Sequence, residues 1–284
     1  MKSVLITGSS GFIGKHLKNE LVKKGIRVVS FDRKNGLDLT NPRDFVDLPK
    51  TDVVFHLGAV SGYKDSNADI ALAYKVNVLG AVNVLDYCKR VGAKMMFPST
   101  YVYKKPHTEY KKETDSTGTS THYAHTKLLG EEVCQFYSRV FKVDSLIMRT
   151  SNVYGNSQDP KYIVPVIIDH VINNKPLTLT KPDIERTYIN VVDVVEAYIK
   201  LAKAKTKPGD VYNVAASRPT SLDNLVKLIG ELSSKEPQIE YSGQSRPNDI
   251  DVNRFDVSKI KKMIDWEPKI GLREGLKKYI ETLS

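Results

Sequence analysis

The chain has 284 residues, 40% of them hydrophobic and 27% charged, and a formal net charge of +10. That balance is ordinary for a soluble globular protein and suits one large α/β domain, or a domain with a modest second lobe. Two cysteines, Cys88 and Cys134, both in segments that read as helices, exclude a disulfide scaffold and point to a reducing compartment. The opening "MKSVLITG" has too short an apolar run for a signal-peptide core, and no stretch approaches a membrane span. A cytoplasmic location, with no membrane partner, is therefore expected. The lysines are dispersed through "KGIRVV", "LAKAKTKPG", "SKIKKM" and "LKKYI". A nucleic-acid footprint expects clustering, so a solvated lysine-rich surface is the simpler reading; an acidic small substrate also fits.

In chain order, "SVLIT" (3–7) reads as a short buried strand, followed by glycines and an amphipathic helix across about 12–24. "RVVSFD" (27–32) and "TDVVFHLG" (51–58) are the second and third strands. A long helical stretch is expected over 68–91, then a strand in "AKMMFPS", a polar loop near 104–120, a helix over 121–141 and a strand in "VDSLIMRT". Apolar runs alternating with helical patterns predict a parallel sheet covered on both faces, and right-handed crossovers make it a doubly wound α/β Rossmann-type sheet. Beyond about 155 the segments shorten and prolines multiply. The expected organisation is a dinucleotide-binding domain over 1–155 and a smaller lobe over 156–284, with pieces returning to the main sheet.

"ITGSSGFIG" places Gly8, Gly11 and Gly14 between the first strand and its helix. A turn there needs residues without Cβ so that backbone can approach a pyrophosphate, and the helix N-terminus adds N–H groups and positive dipole. Asp32 ends the second strand 18 residues after Gly14. A carboxylate there accepts hydrogen bonds from the adenosine ribose and repels a 2′-phosphate, favouring NAD over NADP; Arg33 beside it softens that preference. Asp38 either touches the adenine or caps the next turn.

"HYAHTK" spaces Tyr123 and Lys127 four apart, on one helical face. Tyr101 and Lys105 share that spacing, but Pro106 makes theirs poor ground for a helix. His122 and His125 lack a third ligand of convincing spacing, so no metal is expected.

With "TGSSGFIG", "VVFHLGA", "YKVNVLGAVNVL", "PSTYVY", "YAHTK", "RTSNVYG", "RTYINVVDV", "YNVA" and "RPND", the chain resembles the extended short-chain dehydrogenase/reductases almost end to end, particularly the nucleotide-sugar epimerases, dehydratases and ketoreductases. The resemblance implies a catalytic set of Ser99, Tyr123 and Lys127, with Thr100 the neighbouring option if the register slips by one. It implies cofactor contacts from Gly8, Gly11, Phe12, Ile13, Gly14, Asp32, Asp38, Leu57, Gly58, Ala59, Asn77, Tyr123 and Lys127. Asn77 either supports the active-site backbone and cofactor or makes a helix-interior polar contact. Substrate contacts are implied for Ser99, Thr100, Tyr123 and Asn152, with Arg186 and Arg246 clamping the nucleotide diphosphate and ribose of a nucleotide-sugar substrate, a UDP-sugar first among them. Tyrosine ionises near pH 10, so a base at Tyr123 needs the Lys127 ammonium and the positive nicotinamide to favour phenolate.

Thr100 and Tyr101 stand where dehydratases of this kind carry an Asp-Glu pair, which speaks against 4,6-dehydration. Lys104 and Lys105 replace a glycine common after "VY", "TSTHY" lacks a proline, and Gly58 replaces an alanine. The expected activity is NAD-dependent 4-epimerisation of a nucleotide sugar, resembling that of UDP-glucose 4-epimerases. The alternative is a 4-ketoreductase that releases its cofactor each turnover; a third class is a cofactor-binding regulatory or nucleic-acid-associated protein with a retired site. Relatives commonly pair through the helices matching 68–91 and 121–141, so a homodimer is expected.

Overall fold

In the computed structural model, which describes residues 1–104, 109–244 and 250–283, the scaffold is a six-stranded parallel sheet. Its strands are β1 (Ser3–Thr7), β2 (Arg27–Phe31), β3 (Val53–His56), β4 (Lys94–Ser99), β5 (Ser145–Thr150) and β6 (Asp210–Val214). Their spatial order is β6-β5-β4-β3-β1-β2, so the chain runs outward on one side of β1 and then on the other. Such a reversal opens a crevice at the carboxyl ends of the strands, where ligands bind. β1 and β4 are almost wholly buried, as expected of strands covered on both faces.

Helices cover the two faces. α1 (Phe12–Lys23) and α7 (Val191–Lys203) pack on one side around Leu17, Leu21, Val194 and Tyr198. α4 (Gly80–Val91) and α5 (His122–Phe141) pack on the other, around Val84, Leu85, Cys88 and Cys134. The helix expected over 68–91 runs unbroken from Ile70 to Val91, with a π-helical turn inside it. α2 (Tyr63–Ala68) stops at Asp69, whose extended backbone and side chain, accepting from the Leu72 amide, restart the chain as α3 (Ile70–Tyr74). A π-turn over Lys75–Leu79 then leads into α4.

The smaller lobe has its own core, formed by α6 (Ile163–Ile172), the helices Leu222–Ser233 and Leu272–Glu281, and short ribbons. Between these pieces α7 and β6 belong to the main body: β6 pairs with β5 at the edge of the large sheet. The lobe therefore sits over the carboxyl ends of the strands, closing the crevice from above.

Candidate active site

A cleft of about 790 Å³ runs from the β1 turn to the smaller lobe, large enough for a cofactor and part of a substrate. At its first end Gly8 has φ +68°, and a Cβ there would stand 2.7 Å from the Gly58 nitrogen. A Cβ on Gly14 would lie 2.2 Å from the Gly8 carbonyl oxygen. The turn thus packs tightly on itself and on the loop after β3, a close approach of backbones that only glycine permits. Gly11 caps α1 without a side-chain bond, and no acidic residue occupies the first turn, so that turn presents its amides to an anion. Phe12, Ile13, Leu57, Gly58 and Ala59 line the same end of the cleft.

Asp32 follows β2 at the rim. Its carboxylate accepts from Ser9 Oγ at 2.5 Å and from the Lys34 amide at 3.2 Å. About four lone-pair sites leave room for ribose hydroxyls as well. Asp32→Ala is expected to weaken NAD binding about tenfold or more, the size of a lost charge-assisted hydrogen bond; calorimetric titration giving wild-type affinity would remove Asp32 from this role. Arg33 and Lys34 line the cleft beside it. Asp38 also lines it, yet its carboxylate accepts from the Thr40 amide at 2.8 Å. That bond holds its pKa below the usual carboxylate value.

Asn77, turned inward by the π-turn, is 1% exposed. Its Oδ1 accepts from the Val60 amide at 2.8 Å, and its Nδ2 donates to the Val60 carbonyl and to Thr126 Oγ1. It thereby ties the loop after β3 to α5 next to Lys127, and is not among the residues lining the cleft.

Ser99 ends β4, nearly buried, with an Oγ that has no hydrogen-bond partner among the described residues. An orphaned hydroxyl costs free energy unless a ligand satisfies it. Thr100 lies beside it on the cleft wall. Tyr123 stands in the first turn of α5, whose N-cap Thr121 accepts from the Ala124 amide. Lys127 follows one turn later, 4% exposed. All four line the cleft.

Burial pushes the Tyr123 phenol up, the nearby Tyr162 phenol adding to it. Burial also brings the Lys127 ammonium down to about 8, and its Nζ rests 4.1 Å above the Phe97 ring. Tyr101 lies beyond β4 outside any helix, its ring 5.2 Å from that of Tyr103 and 5.1 Å from that of Phe255. It is a wall of the cleft; Lys105 lies outside the described residues.

On the smaller lobe's side, Asn152 and Arg186 line the cleft. Asn152 Oδ1 accepts from Asn253 Nδ2 at 2.9 Å, and Arg186 Nη1 donates to the Glu185 and Asp251 carbonyls. Arg246 lies outside the described residues. Sequence reasoning missed His56, Ser61, Tyr162, Tyr188, Tyr198 and Asn253, all on the wall. Ser61 Oγ and Tyr162 Oη meet at 2.8 Å across the cleft. No spacing rule announces such a pair, drawn from positions 101 residues apart. His125, outside the site, has its Nδ1 at 2.7 Å from the Tyr74 hydroxyl.

Residues 4–215 match the profile of the NAD dependent epimerase/dehydratase family. The chain belongs to that family. Among curated relatives, UDP-glucuronic acid decarboxylase 6 of Arabidopsis thaliana is 30% identical, over 96% of this chain and 86% of its own. Among solved structures, a Thermus thermophilus UDP-glucose 4-epimerase in complex with NAD is 27% identical with a TM-score of 0.89, covering 98% of each chain. A Thermotoga maritima UDP-glucose 4-epimerase with UDP-glucose is 26% identical with a TM-score of 0.91, covering 99% of this chain and 100% of the other. The glycine turn, the open α1 amides and the rim carboxylate fit the dinucleotide that the family's description names.

Proposed function

We propose that the chain epimerises a nucleotide-diphosphate sugar at C4, with NAD retained in the cleft. The observation that carries this reading is the placement of Ser99, Tyr123 and Lys127 on one cleft wall continuous with the glycine turn. The similar Thermus and Thermotoga structures are UDP-glucose 4-epimerases, one with NAD and one with UDP-glucose, and the Arabidopsis relative is named for a UDP-sugar acid. UDP is therefore the nucleotide of choice.

NAD held by Gly8, Gly11, Gly14 and Asp32 supplies reversible hydride exchange at the sugar carbon. The chain's own residues manage the proton and the oxygen. Tyr123 takes the proton from the C4 hydroxyl and returns it. Lys127 supplies positive charge beside it, and Ser99, whose hydroxyl is otherwise unpartnered, holds the reacting oxygen. Asn152 and Arg186 hold the nucleotide end of the substrate, Arg186 through the phosphates. The carboxylates lining the cleft among the described residues, Asp32 and Asp38, both lie toward the adenosine end. Among the described residues, an elimination that needs a carboxylic acid beside the sugar has none there.

We infer a homodimer through α4 and α5, because Phe136, Val140 and Phe141 near the end of α5 and Leu79 at the start of α4 are large apolar side chains left exposed on these two helices. Native mass spectrometry of the purified protein tests both statements. The expected species is a dimer with one NAD per chain, releasing a UDP-sugar on denaturation. A protein without dinucleotide would favour a reductase that exchanges its cofactor, and a monomer would overturn the assembly.

A further inference from the structure

Lys127 is an ammonium buried where most neighbours are neutral. Its Nζ lies 4.1 Å from the Phe97 ring centroid, with no hydrogen bond to another residue among the described residues. The ring cannot drift. On one side a Cβ at Gly130 would stand 2.4 Å from Phe97 Cζ, so α5 reaches this distance only because position 130 is glycine. On another side the His56 ring lies stacked at 5.9 Å. The titratable groups that act on Lys127 are His56 from β3 and Glu131 and Cys134 from α5. His56 is neutral, driven to about 3 by burial and by Lys127 itself. The Cys134 thiol is neutral as well, raised by burial. Glu131 is committed to Arg149 of β5 at 2.7 Å.

We propose that Phe97 is a positioning residue that seats the Lys127 ammonium on its ring face, with Gly130 permitting the close approach. The negative face of an aromatic ring attracts a cation, most strongly when both are desolvated. Two consequences follow for the reaction proposed above, on which this inference rests for its catalytic meaning. The seat fixes the ammonium beside Tyr123 while leaving its N–H donors for cofactor and substrate oxygens. It also offsets part of the burial that drives the lysine toward its neutral form, keeping Lys127 charged near neutral pH.

The test reads Lys127 directly, so that its failure is distinct from failure of the epimerase reading. Full-length protein carrying ¹³C at lysine Cε is titrated by NMR, with Lys127→Met identifying the resonance. In the wild type the Lys127 Hε protons are expected well upfield of the other lysines, shifted by the ring current; an unshifted resonance overturns the proposal. Removing the ring in Phe97→Leu should lower the Lys127 midpoint by about half a unit or more, the scale of a desolvated cation–π contact. Gly130→Ala keeps the ring but pushes it aside, and should lower the midpoint in the same direction. An unchanged midpoint in either folded variant, judged by circular dichroism, rejects the seat. In active enzyme the ascending limb of the pH–rate profile should move acidward with the midpoint.

Discussion

Tyr123→Phe is expected to lower turnover by about a thousandfold, within the range that positioned acid–base catalysis contributes, while fold and bound dinucleotide stay unchanged. The substitution removes one oxygen and keeps the ring. Among the described residues that oxygen bonds to no protein group, so its loss orphans no partner. The burial that raises the phenol's pKa makes the same point from the other side. Inside a low-dielectric cleft a phenolate forms only where positive charge meets it, and Lys127, lowered to about 8, is the chain's own cation there. The sign of the pH dependence follows. With the phenol raised above its ordinary value and the ammonium lowered to about 8, the form with phenolate and ammonium together grows with pH up to about 8 and then levels, so the ascending limb belongs to the lysine. Steady-state assays on a UDP-sugar panel, with released NAD quantified in parallel, check both halves. Turnover within tenfold of wild type would remove Tyr123 from the chemistry.

The parts of the fold that rest on short-range rules were legible. Four or five consecutive buried residues followed by a glycine triplet dictate β1, its turn and α1, because sterics leave few alternatives. α5 was legible for similar reasons: a hydroxyl cap at Thr121 and a long amphipathic run yield His122–Phe141. The helix over 68–91 was legible too, and Asp69 caps its start at Ile70; its π-turn was not, because the extra residue there goes with the Asn77 bonds to Val60 and Thr126. The Tyr123–Lys127 spacing pointed to two residues that both line the cleft, but gave no sign of where the lysine rests. The lysine's flexible stem follows the strongest seat available, and that seat is Phe97 on β4 beneath a glycine of α5. Tyr162, Asn253 and Ser61 escaped notice for a related reason. Tyr162 and Asn253 reach the cleft from segments beyond β5, and Ser61 from the loop after β3, where only the finished fold brings it to Tyr162.

Breaking the buried ion pair between α5 and β5 should be the most damaging change outside the cleft. Glu131 and Arg149 are 2% and 4% exposed. The guanidinium donates Nε to both carboxylate oxygens and Nη2 to Oε2 at 2.7 Å, while Nη1 reaches the Glu113 carbonyl. Its plane lies 4.8 Å from the Tyr103 ring centroid. The Tyr103 hydroxyl donates to Asn213 Oδ1 at 2.5 Å, and the Asn213 amide donates to Glu113 Oε1 at 2.8 Å. One pair therefore joins α5, the segment after β4, β5 and β6. Glu131→Ala should cost about 3–5 kcal/mol, since it leaves a guanidinium buried without its counter-charge. Replacing both partners in Glu131→Leu/Arg149→Met should recover most of that loss, because two apolar side chains carry no desolvation penalty. Urea unfolding of the single and double variants measures the coupling. A single variant within about 1 kcal/mol of wild type would show that solvent reaches the pair and that the network is peripheral. Activity separates stability from placement. Glu131 sits one helical turn beyond Lys127, so if the pair sets how α5 lies on the sheet, the double variant will regain stability yet remain slow. If it regains both, packing of α5 against β4 and β5 alone holds Tyr123 and Lys127 in place.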